Sequence, residues 1–252
     1  MPSHFSTIGI PGVADEDFTA SIERAIDEAV SIDVDRGTYL LWTSESGAQL
    51  WMQLDPGDEL IGANPHFDGA SKVEVGLVEV VQRPQDTILD GAYSAWADPP
   101  ADDLETGAYP FLFALPGFYA SPVSVPSRTT AQIAAFAHEI EVHESPEQFL
   151  ASQEEDAKFA SQSFIPGSMF DLMDDEESPP QAQAMMTGHI RQCEKRRNEL
   201  ADRPFWWLLV DSLGGTFDVV VDPVLMSGVP QVGGVASGSF WLSGRLVTRD
   251  GT

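Results

Sequence analysis

The stretch that decides the fold is residues 204–247, in which Phe205-Trp206-Trp207-Leu208-Leu209-Val210 leads through Leu213-Gly214-Gly215 to Thr216-Phe217-Asp218-Val219-Val220-Val221-Asp222. The first run is apolar on both faces, as in a strand in the middle of a sheet. In the second, Phe217, Val219 and Val221 alternate with Asp218, Val220 and Asp222, which predicts one dry face and one mostly wet face at the period of a strand. Gly214-Gly215 between them is a hairpin signal, because glycine reaches the positive φ that tight hairpin turns need. After a Pro/Gly loop the chain resumes with Gly238-Ser239-Phe240-Trp241-Leu242-Ser243-Gly244-Arg245-Leu246-Val247, strand-like with glycines where a strand bends. Together these predict a strongly curved antiparallel sheet resembling part of a barrel.

Working outward, residues 5–10 read as a short strand stopped by Pro11-Gly12. Over residues 15–30, Phe18, Ile22, Ile26 and Ala29 form one stripe, predicting an amphipathic helix. From 37 to 116 short strands follow at 39–43, 48–54, 73–82, 91–97 and 110–115, separated by Asp55-Pro56-Gly57, Asn64-Pro65, Arg83-Pro84 and Pro99-Pro100. Residues 120–128, with two prolines and three serines, read as a linker. Beyond it, Ile133, Phe136, Ala137 and Ile140 predict a helix capped by Thr129 or Thr130. Ser145-Pro146-Glu147-Gln148 opens another, running to about 162. Ser178-Pro179 opens a third, with Ala182, Met186, Ile190 and Cys193 on one face, ending near Leu200. The expected class is therefore α+β. Residues 1–120 would be an antiparallel sheet with one helix, and residues 121–252 helices packed on the curved, partial-barrel-like sheet.

Forty acids against 13 bases give a formal net charge of −27. Such a field repels nucleic-acid phosphates and anionic lipid surfaces, so neither is an expected partner. No apolar run approaches the roughly 20 residues of a membrane-spanning helix. The single cysteine fits a reducing compartment, and the expectation is a cytoplasmic, soluble protein.

His138-Glu139-Ile140-Glu141-Val142-His143 carries metal-ligating residue types. On a helix the two histidines lie five residues apart, roughly 140° around at about 100° per residue, so His138 and His143 do not share one face. Glu139 and His143 do, leaving one metal edge. His66 and Asp68 are spaced as an oriented base, with no nucleophile in sequence beside them. The acidic run from Asp171 to Glu177 lacks the spacing of a calcium-binding loop. Trp51, between Gln49 and Gln53, stands on the polar face of its strand as a candidate contact residue. Cys193, on an apolar stripe, reads as a buried thiol. Arg191, Lys195, Arg196 and Arg197 place four bases within seven residues at the end of the third helix, answering its dipole and the acids around 171–177.

No phosphate loop, nucleophile elbow or dinucleotide fingerprint is present, so no cofactor is expected. The leading expectation is a non-enzymatic binding protein that takes a basic protein as its partner. The enzymatic alternative is a metal-assisted hydrolase using His138, Glu139 and His143.

Overall fold

The computed structural model describes residues 3–154, 158–167 and 181–247. After a 3-10 turn at Ser6–Ile8 and helix α1 (Phe18–Glu28), a first sheet forms from β1 (Val30–Val34), β2 (Gly37–Thr43), β3 (Ala48–Leu54) and β4 (Leu60–Phe67). These four strands are antiparallel and joined in sequence order. The rest of the chain builds one nine-stranded mixed sheet from β5 (Val73–Val81), β6 (Ala92–Ala97), β7 (Pro110–Ala114), β8 (Ser127–His143), β9 (Ser163–Pro166), β10 (Gln183–Asn198), β11 (Arg203–Ser212), β12 (Gly215–Val221) and β13 (Val235–Val247). A short helix α2 (Pro146–Ser152) lies between β8 and β9.

The larger sheet closes on itself. β8 pairs in parallel with β12, which continues antiparallel through β11, β10 and β13, and β13 returns along almost the whole of β8. Five strands thus complete a ring with no free edge. β5, β6 and β7 extend the other side of β8 and return to β13 at Ser243–Ala114. Inward residues such as Ile133, Ala135, Ala137, Leu208, Val210, Phe217, Val219, Phe240 and Leu242 form the main core. Outward residues Ala134, Phe136, Phe205, Trp207 and Val220 are not left to water. The four-stranded sheet, α1 and the segment of Ile8 and Ile10 cover them, building a second core with Trp42, Leu50, Met52 and Phe67.

The expected α+β class is overturned: half of the chain is strand and 12% helical, and the C-terminal half is not a set of helices on a sheet. The two helices expected from Thr129 and from Ser178 are the long strands β8 and β10. The three-residue steps Ala137 to Ile140 and Ile190 to Cys193, the mark of a helix, come from β-bulges, whereas Ile133 and Phe136 lie on opposite faces of β8. In β8 the register moves from Glu139 opposite Ser239 to Ala137 opposite Phe240, leaving His138 as an extra residue. That extra residue turns Ala137 and Ile140 to the same interior. In β10 the register shifts between Ile190 and Gln192, so Ile190 and Cys193 oppose Val210 and Leu208 and both face inward. Four-residue steps such as Ala182, Met186 and Ile190 fit a strand as well as a helix, since four is a multiple of two.

Other expectations change by smaller amounts. Residues 5–10 form a 3-10 turn and not a strand. β1 and β4 are strands that the sequence pattern did not announce. α2 ends at Ser152, its Ser145 hydroxyl accepting from the Gln148 N–H at 3.2 Å as the cap predicts. The helix beginning at Ser178 and the acidic run 171–177 lie partly or wholly outside the described residues. Strands from both sides of residue 121 share the nine-stranded sheet.

β12 shows most clearly why a face that alternation marks as wet is dry. Asp218 and Val220 are fully buried, because the small sheet covers what would otherwise be solvent. The Asp218 carboxylate accepts from the N–H groups of Ala70 (3.0 Å) and Ser71 (2.9 Å), Trp207 Nε1 (2.9 Å) and Gln132 Nε2 (2.8 Å). Removing it leaves four donors without an acceptor in a dry interior. Asp218→Ala is expected to lower unfolding free energy by about 3–5 kcal/mol in chemical denaturation, whereas exposed Asp35→Ala changes it by less than about 0.5 kcal/mol.

Candidate functional site

A cleft that contains two of the residues singled out from sequence, Trp51 and His66, lies where β4 meets the outside of the barrel. β3 turns Leu50 and Met52 into the second core, which leaves Gln49, Trp51 and Gln53 on its other face. That face is covered: Gln53 is fully buried, donates to Asp90 Oδ1 at 2.7 Å and accepts from Thr87 Oγ1 at 2.7 Å. The Trp51 indole donates to Gln49 Oε1 at 3.2 Å, and the backbone of Gly117 lies against its ring. A Cβ on residue 117 would come within 2.5 Å of the indole, so only glycine permits this approach. What remains is a cavity of about 230 Å³ lined by Trp51, His66, Leu115, Pro116, Gly117, Ser121, Gly244, Arg245 and Leu246. Trp51 is thus a wall of a cleft, as a contact residue would be, while its strand face is mostly dry.

His66 stands behind this cleft in a buried polar chain. Gln132 spends both amide hydrogens, on Phe67 O (3.1 Å) and Asp218 (2.8 Å), so its Oε1 must accept, and His66 Nε2–H donates to it at 3.1 Å. His66 Nδ1 is then the acceptor, taking the Ser243 hydroxyl proton at 2.9 Å. The order Ser243, His66, Gln132, Asp218 has the polarity of a nucleophile activated through a base. Ser243 is fully buried, however, and no substrate reaches its Oγ in this conformation. The chain joins β13, β4, β8 and β12 and so fastens the small sheet to the barrel. Asp68, read beside His66 in sequence, points elsewhere and pairs with Arg245 at 2.6 Å.

His138, Glu139 and His143 lie on a strand, where five residues span roughly 16 Å at about 3.3 Å each. The helical edge of Glu139 and His143 therefore does not form. His143 faces Glu141 (3.7 Å) and the Phe149 ring, while His138 meets a partner not foreseen from sequence, His4. Among the described residues no group of three or more His, Cys, Asp and Glu converges as a metal centre.

The basic cluster lies on β10 and not at a helix end, so no helix dipole acts on it. Arg191 is the residue the bulge adds, and it pairs with Asp211. Lys195 lies 6.0 Å from the Trp206 ring centre. Arg196 stacks at 4.2 Å on Trp207 and donates to Ser46 O (2.8 Å) and Glu194 (3.0 Å), and Arg197 pairs with Asp202. Lys195, Arg196 and Arg197 share their surface depression with Glu45, Glu194 and Glu199. Cys193 is half-buried, its thiol directed to Pro230 O at 3.5 Å.

No protein-family model, curated protein or solved structure matches this chain, so a functional reading of it rests on its geometry and charge.

Full burial, with the Arg245 charge adding to it and the Gln132 hydrogen bond opposing, pushes the His66 imidazole down to about 3 from the ordinary 6.5. Because the folded value is the lower one, the unfolded chain takes up this proton first as the pH falls. His66 therefore contributes stability that is complete above pH 6.5 and is lost progressively toward pH 3, at about 1.4 kcal/mol per pH unit. The expected observation is a His66 ring resonance in NMR that stays in its neutral position down to pH 5, while unfolding free energy declines between pH 6.5 and 5 and declines less in His66→Gln.

Proposed function

We infer that this chain is a cytoplasmic binding protein without catalysis of its own, whose acidic exterior receives a basic protein. The observation that carries this reading is where the positive charges go. Every described arginine has a local partner. Arg83, Arg191, Arg196, Arg197, Arg203 and Arg245 pair with carboxylates, and Arg24 and Arg128 donate to backbone carbonyls. Arg36 lies 4.7 Å over the Tyr119 ring. With the described arginines engaged in this way, the excess of acids in a chain of net charge −27 stays unbalanced.

One acidic face among the described residues is formed by α1, the two residues before it and the β1–β2 hairpin, where Glu16, Asp17, Glu23, Asp27, Asp33 and Asp35 are exposed and Arg24 and Arg36 are the only bases in the same stretch. α1 buries Ser21, Ile22 and Ala25 and so turns its acids outward. A basic partner approaching this side gains a steered encounter that salt weakens, because exposed charges are screened beyond about 8 Å at physiological ionic strength.

The test is retention of cytoplasmic proteins on the immobilised chain at low and high salt, repeated with the triple variant Glu23→Lys, Asp27→Lys, Asp33→Lys. A discrete basic protein should bind saturably at low salt, be released by salt and bind the variant at least tenfold more weakly. Recovery of no basic protein, or of one whose retention ignores both salt and the variant, would overturn the reading. Self-repulsion among the same acids also predicts that the melting temperature rises between low and moderate sodium chloride.

A further inference from the structure

His4, in the turn before α1, and His138, on β8, are brought together with their Nε2 atoms 2.7 Å apart. The ring planes are inclined by only 15° and the centroids are 5.0 Å apart. Two imidazoles reach that separation at that nitrogen distance only when they lie edge to edge, with both nitrogens on the line between the rings. His4 is held in this orientation by Trp241, whose ring is parallel to it within 7° at 4.5 Å, and by the edge of Phe136. His138 is held because it is the residue that the β8 bulge adds, projecting from the outer face of the barrel. There it lines a cavity of about 270 Å³ together with Gln183, Met185 and Ser239.

We propose that His4 and His138 bind a soft monovalent d10 metal ion, copper(I) in class, in linear coordination between their Nε2 atoms. Two facing imidazoles on one axis have the direction of linear coordination, though not yet its separation. Zinc prefers four ligands in a tetrahedron, and no third carboxylate, thiolate or imidazole converges here among the described residues. Met185, on the wall of the cavity that His138 also lines, supplies the kind of thioether that a soft ion accepts as a further ligand.

Burial lowers the affinity of both rings for protons. His4 falls to about 4, with the neighbouring His138 adding to the effect, and His138 is lowered by burial against the opposing charge of Glu139. Both are therefore neutral near pH 7, as metal ligation requires, and no ionised proton has to be displaced. The one hydrogen shared between the two Nε2 atoms moves to Nδ1 of the same ring by tautomerism when the ion enters. Metal–nitrogen bonds of about 2 Å require the nitrogens to part by roughly 1.3 Å. That opening requires the His4 ring to slide along the face of Trp241, against which it is stacked. The protein's net charge of −27 favours any cation at this position.

The experiment is an anaerobic titration of the full chain with copper(I) against a chromophoric copper(I) chelator, with zinc(II) titrated in parallel. One copper(I) per chain should be withdrawn from the chelator. His4→Ala and His138→Ala should each weaken binding at least tenfold while leaving the circular dichroism spectrum unchanged, Met185→Leu should weaken it less, and zinc should bind at least tenfold more weakly than copper(I). Copper(I) is diamagnetic, so NMR of the unaltered chain supplies a second readout that does not depend on any variant folding. The ring resonances of His4 and His138 must shift on binding, and those of His66, His143 and His189 must not. Failure to compete with the chelator, equal affinity in folded histidine variants, a preference for zinc, or shifts at other histidines would each overturn the proposal.

Discussion

Four hydrogen bonds converging on the Asp218 carboxylate join the two sheets of this protein. Two donors are consecutive backbone N–H groups of the segment that leaves the small sheet and enters the barrel, at Ala70 and Ser71. A third is the indole of Trp207 in the second core, and the fourth is Gln132, which passes the connection on to His66 and Ser243. The chain passes so close that a Cβ at position 69 would sit 2.2 Å from the carboxylate, which explains the glycine there. A charge in a dry interior is tolerated only where its lone pairs are filled, and this one is filled by groups from both layers. The network satisfies the buried polar atoms where the small sheet's last strand leads into the barrel.

Everything placed on the covered side of the barrel follows from that union. Phe136, Trp207 and Val220 point away from the barrel axis, yet they are buried because Leu50, Met52 and Phe67 lie over them. Trp207 also supports Arg196 on its ring, and Arg196 in turn reaches the carbonyl of Ser46 in the turn between β2 and β3. A base that sequence suggested was part of a surface patch is thus a brace between the layers. Its guanidinium has an aromatic face beneath it and two acceptors at its edge, an arrangement that a lysine amine would not reproduce.

The sequence made some parts of this architecture plain and disguised others, for reasons that lie in particular residues. The hairpin around Gly214-Gly215, the strands β2, β3, β5, β6 and β7 and the helix α1 have the alternation or stripe that their surroundings demand. β8 is apolar on both faces over its middle, since one face meets the barrel interior and the other the covering layer, so alternation is erased there. A single inserted residue in each of β8 and β10, His138 and Arg191, then supplies the three-residue step that mimics a helix. Asp218 read as a solvent-facing residue because nothing local announces a second sheet above it. For the candidate sites, Trp51 stood out through its contrast with Gln49 and Gln53, and the structure puts it on the wall of a cavity. The meeting of His4 with His138 was not visible, because 134 residues separate them and only the tertiary fold brings them together.

The closed ring also imposes an order in time. β8 is bordered by β12 and β13, and β13 is the last of the described strands in sequence, so a nascent chain that has already produced β8 and β10 must hold both with an open edge until residues 235–247 arrive. Pairings of such long sequence separation form slowly, and edges of long apolar strands are where chains stick to one another. The arrangement that leaves the finished barrel ring without a free edge makes its assembly the interval of greatest exposure. In that interval a dense like charge on every copy keeps neighbouring chains apart, so the acidity protects the chain while it is being made.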